Sequence, residues 1–260
     1  MDSPSALARL TAIMARLRDP VSGCPWDLAQ SFASIAPYTI EEAYEVADAI
    51  EANDMAELKK ELGDLLFQVI FHARIAEEAG HFNLEAVITS LCEKMERRHP
   101  HIFGTAQPAP TAEAQKASWE AIKAAERAAA GQPDTPVSAL DGVARALPAL
   151  ARADKLQSRA ARTGFDWPGP APVRAKLLEE LDEFDAATTD EHRFEEAGDL
   201  LFALANYLRH HDIDPEAALR AGNTKFEHRF RAMEAAHPGF ASLSLDEQEA
   251  LWQQVKAAEA

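Results

Sequence analysis

Eight carboxylates stand in two matched sets: Glu42-x-x-Glu45 followed by Glu61-x-x-Asp64, then Glu180-x-x-Glu183 followed by Glu196-x-x-Asp199. Spacing of i,i+3 puts both acids of a pair on one helix face, about a turn apart. Like charges so placed cost a helix about 0.2–0.5 kcal/mol per pair. Four such pairs in matched order call for a cation. Carboxylate oxygens are hard ligands, which favours Mg²⁺, with Mn²⁺ as a substitute, and no soft-metal ligand set accompanies them. Mg²⁺ seldom fills its shell from protein alone and recruits substrate phosphates, so the motif points to a phosphorylated substrate.

The repetition extends beyond the acids. The first pairs are related by an offset of 138 residues and the second pairs by 135. Around the second pair the text is nearly literal, Glu61-Leu-Gly-Asp-Leu-Leu-Phe67 against Glu196-Ala-Gly-Asp-Leu-Leu-Phe202. Downstream, Lys94-Met-Glu-Arg-Arg98 matches Lys225-Phe-Glu-His-Arg229, and Trp119 with Lys123 matches Trp252 with Lys256. Lys94/Arg98 and Lys225/Arg229 are basic pairs at i,i+4 suited to polyphosphate oxygens, Arg in bidentate fashion. Lys176, four residues before Glu180, adds a cation in the second half. Each Trp/Lys pair offers an aromatic face for a base beside a charge for phosphate.

Two helices must carry each quartet. Leu62, Leu65, Leu66, Val69, Ile70 and Ala73 recur at helical spacing within residues 58–78. A second helix is expected over 38–51, capped near Thr39, and the polar turn between the two makes a hairpin that faces one acid pair with the other. The second half repeats this with helices at 173–187 and about 193–211. Basic helices follow at 83–98 and 215–235, then tryptophan helices at 111–129 and 245–258. Gly63 and Gly198, mid-helix in the acid motifs, suggest a close approach by a facing helix or a ligand. The breaker-rich stretch 131–137 reads as a linker between domains 1–130 and 138–260. No strand pattern stands out, and the fold class is all-α.

At 260 residues the chain suits two domains of ordinary size. Its 47% hydrophobic and 27% charged composition is globular. A net charge of −17 argues against nucleic-acid partners, which need a basic surface. No apolar run is long enough for a membrane span and no leader-like segment opens the sequence, so a cytoplasmic protein is expected. Cys24 and Cys92 have no paired spacing and read as plain thiols. Glu-x-x-His occurs at Glu78/His81, Glu96/His99 and Glu234/His237, the ligand pair of di-iron bundles, but each lies at an expected helix end outside the quartets.

With both quartets, Gly23-Cys-Pro-Trp-Asp27, Glu93-Lys-Met-Glu-Arg-Arg-His-Pro-His101 and Gly164-Phe-Asp-Trp167, the chain resembles the MazG family of nucleoside triphosphate pyrophosphohydrolases in its two-domain form. The resemblance implies two tandem all-α helical bundles, a homodimer, Mg²⁺ dependence, and broad-tolerance cleavage of NTP or dNTP to the monophosphate and pyrophosphate. It implies nucleotide-pool housekeeping or a stress role. It makes Glu180, Glu183, Glu196 and Asp199 metal ligands, with Glu42, Glu45, Glu61 and Asp64 alike, and Glu179 or Glu180 the holder of the attacking water. Lys176, Glu195, Lys225, Arg229, Trp252 and Lys256 would contact nucleotide, as would Lys94, Arg98, Trp119 and Lys123 in the first half. The resemblance implies activity in the C-terminal domain first, with the N-terminal copy idle or structural. His228, standing where the first half has Arg97, departs from the pattern. A dUTPase or phosphoribosyl-ATP pyrophosphohydrolase, or a non-catalytic nucleotide-binding scaffold, would use the same residues.

Overall fold

The computed structural model describes residues 5–130 and 138–259. They form twelve α-helices, one 3-10 turn (Phe240–Ser242) and, among the described residues, no strand. In order these are α1 (Ala6–Leu17), α2 (Pro25–Leu28), α3 (Phe32–Glu51), α4 (Met55–Glu78), α5 (Leu84–Arg98), α6 (Pro100–Phe103), α7 (Ala112–Ala130), α8 (Ala149–Ala161), α9 (Pro170–Ala186), α10 (Asp190–Arg209), α11 (Pro215–Ala236) and α12 (Leu245–Ala258). The chain divides into two compact units, Met1–Ala124 and Ala125–Ala260. The division falls within α7, and the linker expected at 131–137 lies outside the described residues.

In the first unit α3 and α4 pack along most of their length. Thr39 meets His72 and Glu42 meets Gln68, falling numbers against rising ones, so the pair is antiparallel. The turn between them is short because Asn53 adopts a left-handed conformation (φ 53°), which asparagine tolerates, and Asp54 then caps α4 through the amides of Ala56 and Glu57. Helix α3 begins a turn and a half before the position expected from sequence. Ser31 and Ser34 form its capping box, and Thr39 lies inside the helix. Pro37 misleads the reading, since proline usually opens or breaks a helix. Here it sits within the first two turns, where it removes one backbone hydrogen bond and α3 continues.

Helix α1 closes this hairpin and completes a core of Met14, Ile35, Ile70, Phe71 and Ile75, each 9% exposed or less. Burying side chains of this size stabilises by about 1.5–3 kcal/mol each. Below the core the buried Arg18 holds the loop before α3, donating to the Asp27 carbonyl and to both Glu78 oxygens at 2.7–3.2 Å.

The second unit follows the same plan with α9 and α10 as the antiparallel hairpin and α8 against α10. Pro170 at the first position of α9 and the Thr189 cap on α10 fix the starts, as terminal chemistry favours. Its interior differs. Val173 is fully buried as is Ile35, its counterpart at the 138-residue offset. At the 135-residue offset, however, Ile70, Phe71 and Ile75 become Ala205, Asn206 and His210.

The facing-helix part of the glycine expectation is corrected here. A Cβ built on Gly63 or Gly198 meets nothing within 4 Å, so neither residue is required by packing against a facing helix.

Candidate active site and metal centre

Each hairpin brings three of its four acids together. One carboxylate oxygen from each of Glu42, Glu45 and Glu61 lies within 4.8 Å of the others, and the same holds for Glu180, Glu183 and Glu196. Antiparallel packing across a three-residue connection makes this unavoidable once the acids sit at i,i+3 on facing stripes. Asp64 and Asp199 are outside these triads. Asp64 is near enough for its charge to push up Glu42, and Asp199 lines a cavity together with Glu180. Such an all-carboxylate cluster is the donor set of a hard divalent cation.

The two clusters differ in how their charge is met. Among the described residues no Lys or Arg hydrogen-bonds an oxygen of the first; Glu42 accepts only from Gln68, at 3.4 Å. Partial burial together with hydrogen bonds and charge from Glu57 and Glu45 raises Glu61 to about 7. Glu42 is raised too, by burial and then by Glu45 and Asp64. In the second cluster Lys176 Nζ lies 2.9 Å from Glu180 and 2.7 Å from Glu179, and these bonds push its own pKa up, so it remains a cation. His192 Nε2 stands 2.9 Å from Glu196. Glu183 is raised by desolvation, with Lys176 opposing the shift and Glu180 and Glu196 adding to it. At the repeat offsets Lys176 corresponds to Tyr38 and His192 to Glu57, so the first half has a phenol and another acid where the second has two basic groups.

A cavity of about 290 Å³ adjoins the second cluster. Leu156, Ala160, Val173, Phe202 and Ala203 give it apolar walls, Phe165 and Trp167 stand at it from the loop before α9, and Lys176, Glu180 and Asp199 form its charged side. Asp166, Asn206 and Arg209 also line it. Glu180 is 7% exposed and belongs to both cavity and triad. Pockets with apolar walls and a few placed polar groups are the usual form of small-molecule sites. The corresponding interior of the first unit is occupied by Phe71 and its neighbours.

The remaining sequence-derived candidates lie elsewhere. Glu179 and Glu195 are on exposed turns of α9 and α10. Lys225 is exposed on α11, while Arg229 pairs with Glu259 at 2.6 Å and sits 5.5 Å from the Trp252 ring. His228 approaches the same glutamate at 3.5 Å, and Lys256 is exposed on α12. Among the described residues, none of these α11 and α12 groups hydrogen-bonds the second triad, and none lines the cavity. In the first unit Trp119 packs on His99, with ring centroids 5.1 Å apart, and Lys123 pairs with Glu120 at 2.8 Å. Lys94 and Arg98 are half-buried on α5. His81, His99 and His237 join neither carboxylate cluster, so no di-iron arrangement forms among the described residues.

Reading the sequence misses Asn206, Arg209 and His192. The repeat itself holds a signal for Asn206: four residues past the near-literal match, a polar residue stands where the first half has a phenylalanine.

Comparison with known proteins bears on the same residues. The profile of the MazG nucleotide pyrophosphohydrolase domain matches residues 30–103, the first hairpin and α5. A nucleoside triphosphate pyrophosphohydrolase of Escherichia coli (strain K12) is 48% identical over 260 residues, covering 96% of this chain and 97% of that protein. The nucleoside triphosphate pyrophosphohydrolase/pyrophosphatase MazG of Thermotoga maritima is 43% identical over 225 residues, 86% of this chain and 84% of the relative. A crystal structure of a mazG-related protein from Thermotoga maritima is 30% identical and covers 45% of this chain and 98% of its own, with a TM-score of 0.38. With two relatives above 40% identity matched along most of both lengths, the chain belongs to the MazG family of nucleoside triphosphate pyrophosphohydrolases.

Proposed function

We propose that the chain hydrolyses nucleoside triphosphates to nucleoside monophosphate and pyrophosphate at the second carboxylate cluster, with Mg²⁺ as the cation. The observation that carries this reading is the cavity beside the cluster, which shares Glu180 with it and is also lined by Lys176 and Asp199. A nucleoside enters the apolar space and its triphosphate runs out along the acids. The donor set fits a hard cation: three carboxylates within 4.8 Å, one of them buried, two more beside them in Asp199 and Glu179. When bound, the cation offsets the charge of the phosphates and lowers the pKa of coordinated water.

The chain's own groups then divide the work. Glu180, Glu183, Glu196 and Asp199 hold the cation. Lys176, kept protonated by Glu179 and Glu180, meets phosphate oxygens. Glu179 lies outside the triad, 2.7 Å from Lys176, and is the acid left to orient the water and accept its proton. Water attacks the α-phosphorus, the bond to the α,β-bridging oxygen breaks, and pyrophosphate leaves. The apolar walls bind any base by burial, which favours broad tolerance. Lys225, Arg229, Trp252 and Lys256, on α11 and α12, are basic and aromatic groups apart from the cavity that we assign to nucleotide contact in the assembled enzyme, together with Glu195 on α10.

The first cluster, and with it Lys94, Arg98, Trp119 and Lys123, keeps a metal-binding and structural role in this reading, because Phe71 and its neighbours fill the corresponding interior. The two halves are tandem domains of one bundle type. We further assign a homodimer: Leu178, Leu181 and Leu201 are 42–53% exposed on the active hairpin, a surface a second copy would cover. Sedimentation analysis tests this, and a monomer at micromolar concentration refutes it. For the activity itself, Mg²⁺-dependent release of pyrophosphate from NTPs and dNTPs is measured. Release of orthophosphate alone, or no turnover of any nucleotide, overturns the proposal. The role in nucleotide-pool housekeeping follows from such a breadth of substrates.

A further inference from the structure

Asn206 lies on α10 with only 5% of its surface exposed, among the residues that line the cavity. Its side-chain oxygen accepts from Arg209 Nε at 2.9 Å and Nη2 at 2.8 Å. A guanidinium has no acceptor, so the amide cannot be turned over without setting N–H against N–H. Arg209 is itself fixed, donating to Asp166 Oδ1 at 2.6 Å, and His210 Nε2 lies 3.0 Å from the same oxygen. The loop carboxylate thus holds the arginine and the arginine holds the amide. What remains is Asn206 Nδ2. It has no hydrogen-bond acceptor among the described residues. It is also absent from the sealed, partnerless side-chain atoms of the described residues, namely those of Gln68, Trp119, Arg152, Gln157 and His237. Asn206 lines the cavity, so an Nδ2 without a protein acceptor among the described residues is the donor this residue can offer a ligand there.

We infer that Asn206 is a specificity-determining residue at the nucleobase end of the cavity, its oriented amide donating to a base carbonyl and favouring keto bases over amino bases. The inference rests on the nucleotide reading above. A fixed donor gains a hydrogen bond from a carbonyl edge, as in uracil or hypoxanthine. It meets another donor at an amino edge, as in cytosine or adenine, and leaves both unpaired. An apolar wall scarcely separates two bases of the same shape, so a modest preference laid over broad tolerance would come from the amide. Phe71 at the matching place in the first half can make no such distinction.

The test uses the full chain with Mg²⁺ and two isosteric pairs, UTP against CTP and ITP against ATP, with kcat/KM from pyrophosphate release. The wild type should favour the keto member of each pair by about tenfold. Asn206→Asp turns the donor into an acceptor while keeping a partner for Arg209, and should lower both ratios by about tenfold or more. Arg209→Gln, which frees the amide to turn over, should lower them by a smaller factor, and it decides the matter if Asn206→Asp fails to fold. Wild-type ratios near one, or variants that slow all four substrates equally, overturn the inference. If the wild type turns over no nucleotide, the enzymatic reading fails, and binding of UMP against CMP then decides the inference by itself, equal affinities refuting it.

Discussion

Phe71 and Asn206 occupy one register position in two copies of one hairpin, and the interiors around them have diverged in opposite directions. In the first copy Phe71, Ile70 and Ile75 close with Met14 and Ile35 into a filled core. In the second, Ala205, Asn206 and His210 hold those positions, and Asn206 lines a cavity of about 290 Å³. The acids above both interiors are the same in type and spacing, so acids alone do not make a site for nucleotide. The basic groups diverged in parallel: Lys176 and His192 meet the second cluster, where the first half has Tyr38 and Glu57. Filling an interior stabilises a domain, while leaving one open for a ligand forgoes that packing.

The largest effect that could break this contrast comes from the acids. Replacing Glu180 and Glu183 together by Ala should lower pyrophosphate release by about two to three orders of magnitude, since a cation and its ligands supply several kcal/mol of transition-state stabilisation. The matching Glu42→Ala, Glu45→Ala pair should leave steady-state rates within about threefold, because that cluster lies outside the half we propose to be catalytic. Equal losses in the two double mutants would falsify the division of labour.

Exchanging interiors comes next. Phe71→Ala should destabilise the first unit by about 3–5 kcal/mol, read from its denaturant midpoint, because the side chain is 1% exposed in a close-packed core. Asn206→Phe, which writes the first copy's residue into the second, should instead raise KM for every nucleotide by about tenfold or more as the cavity fills. Unchanged KM would show that nucleotide binds elsewhere.

A smaller shift follows from Lys176. Its charge holds Glu183 down against desolvation and the neighbouring acids. Lys176→Met should therefore move the acidic limb of the Mg²⁺-binding curve to higher pH, by titration calorimetry, because protons compete longer for the ligands. The same curve unmoved would remove Lys176 from the cluster's electrostatics.

The smallest is a stability profile. Glu61 is raised from an ordinary 4.5 to about 7 in the folded first unit. Folding then takes up a proton between those values, so this contribution to stability is full below pH 4.5 and is lost as pH rises through 7. Thermal midpoints of the metal-free protein should fall across that window, and added Mg²⁺ should raise them at pH 8 but not at pH 5. A flat profile contradicts the crowding of Glu61 by Glu57 and Glu45.

Much of this was legible before any coordinates, for definite reasons. Helical periodicity and paired acids place α4 and α10 to within a few residues, although within the α4 periodic set Ile70 and Ala73 are buried while Leu62, Leu66 and Val69 are 38–50% exposed. The hairpins follow from short polar turns. The start of α3 is not legible, because Pro37 reads as a boundary while Ser31 and Ser34 supply the real one. Helices α1 and α8 carry no chemistry that draws the eye, yet α1 completes the core and α8 walls the cavity. The polar end of the site escapes motif reading for a different reason: Asp166, Asn206 and Arg209 come from a loop and a helix end over 40 residues apart. Their relation exists only after folding.

The three-residue connections of the hairpins, 52–54 and 187–189, bear on how the chain is made as well as on what it holds. Contacts between neighbours in sequence form early, and domains are completed in order of synthesis. On the ribosome the copy with the filled core is therefore built first. It hides its apolar side chains while the other is still being translated. The copy with the cavity is completed after it.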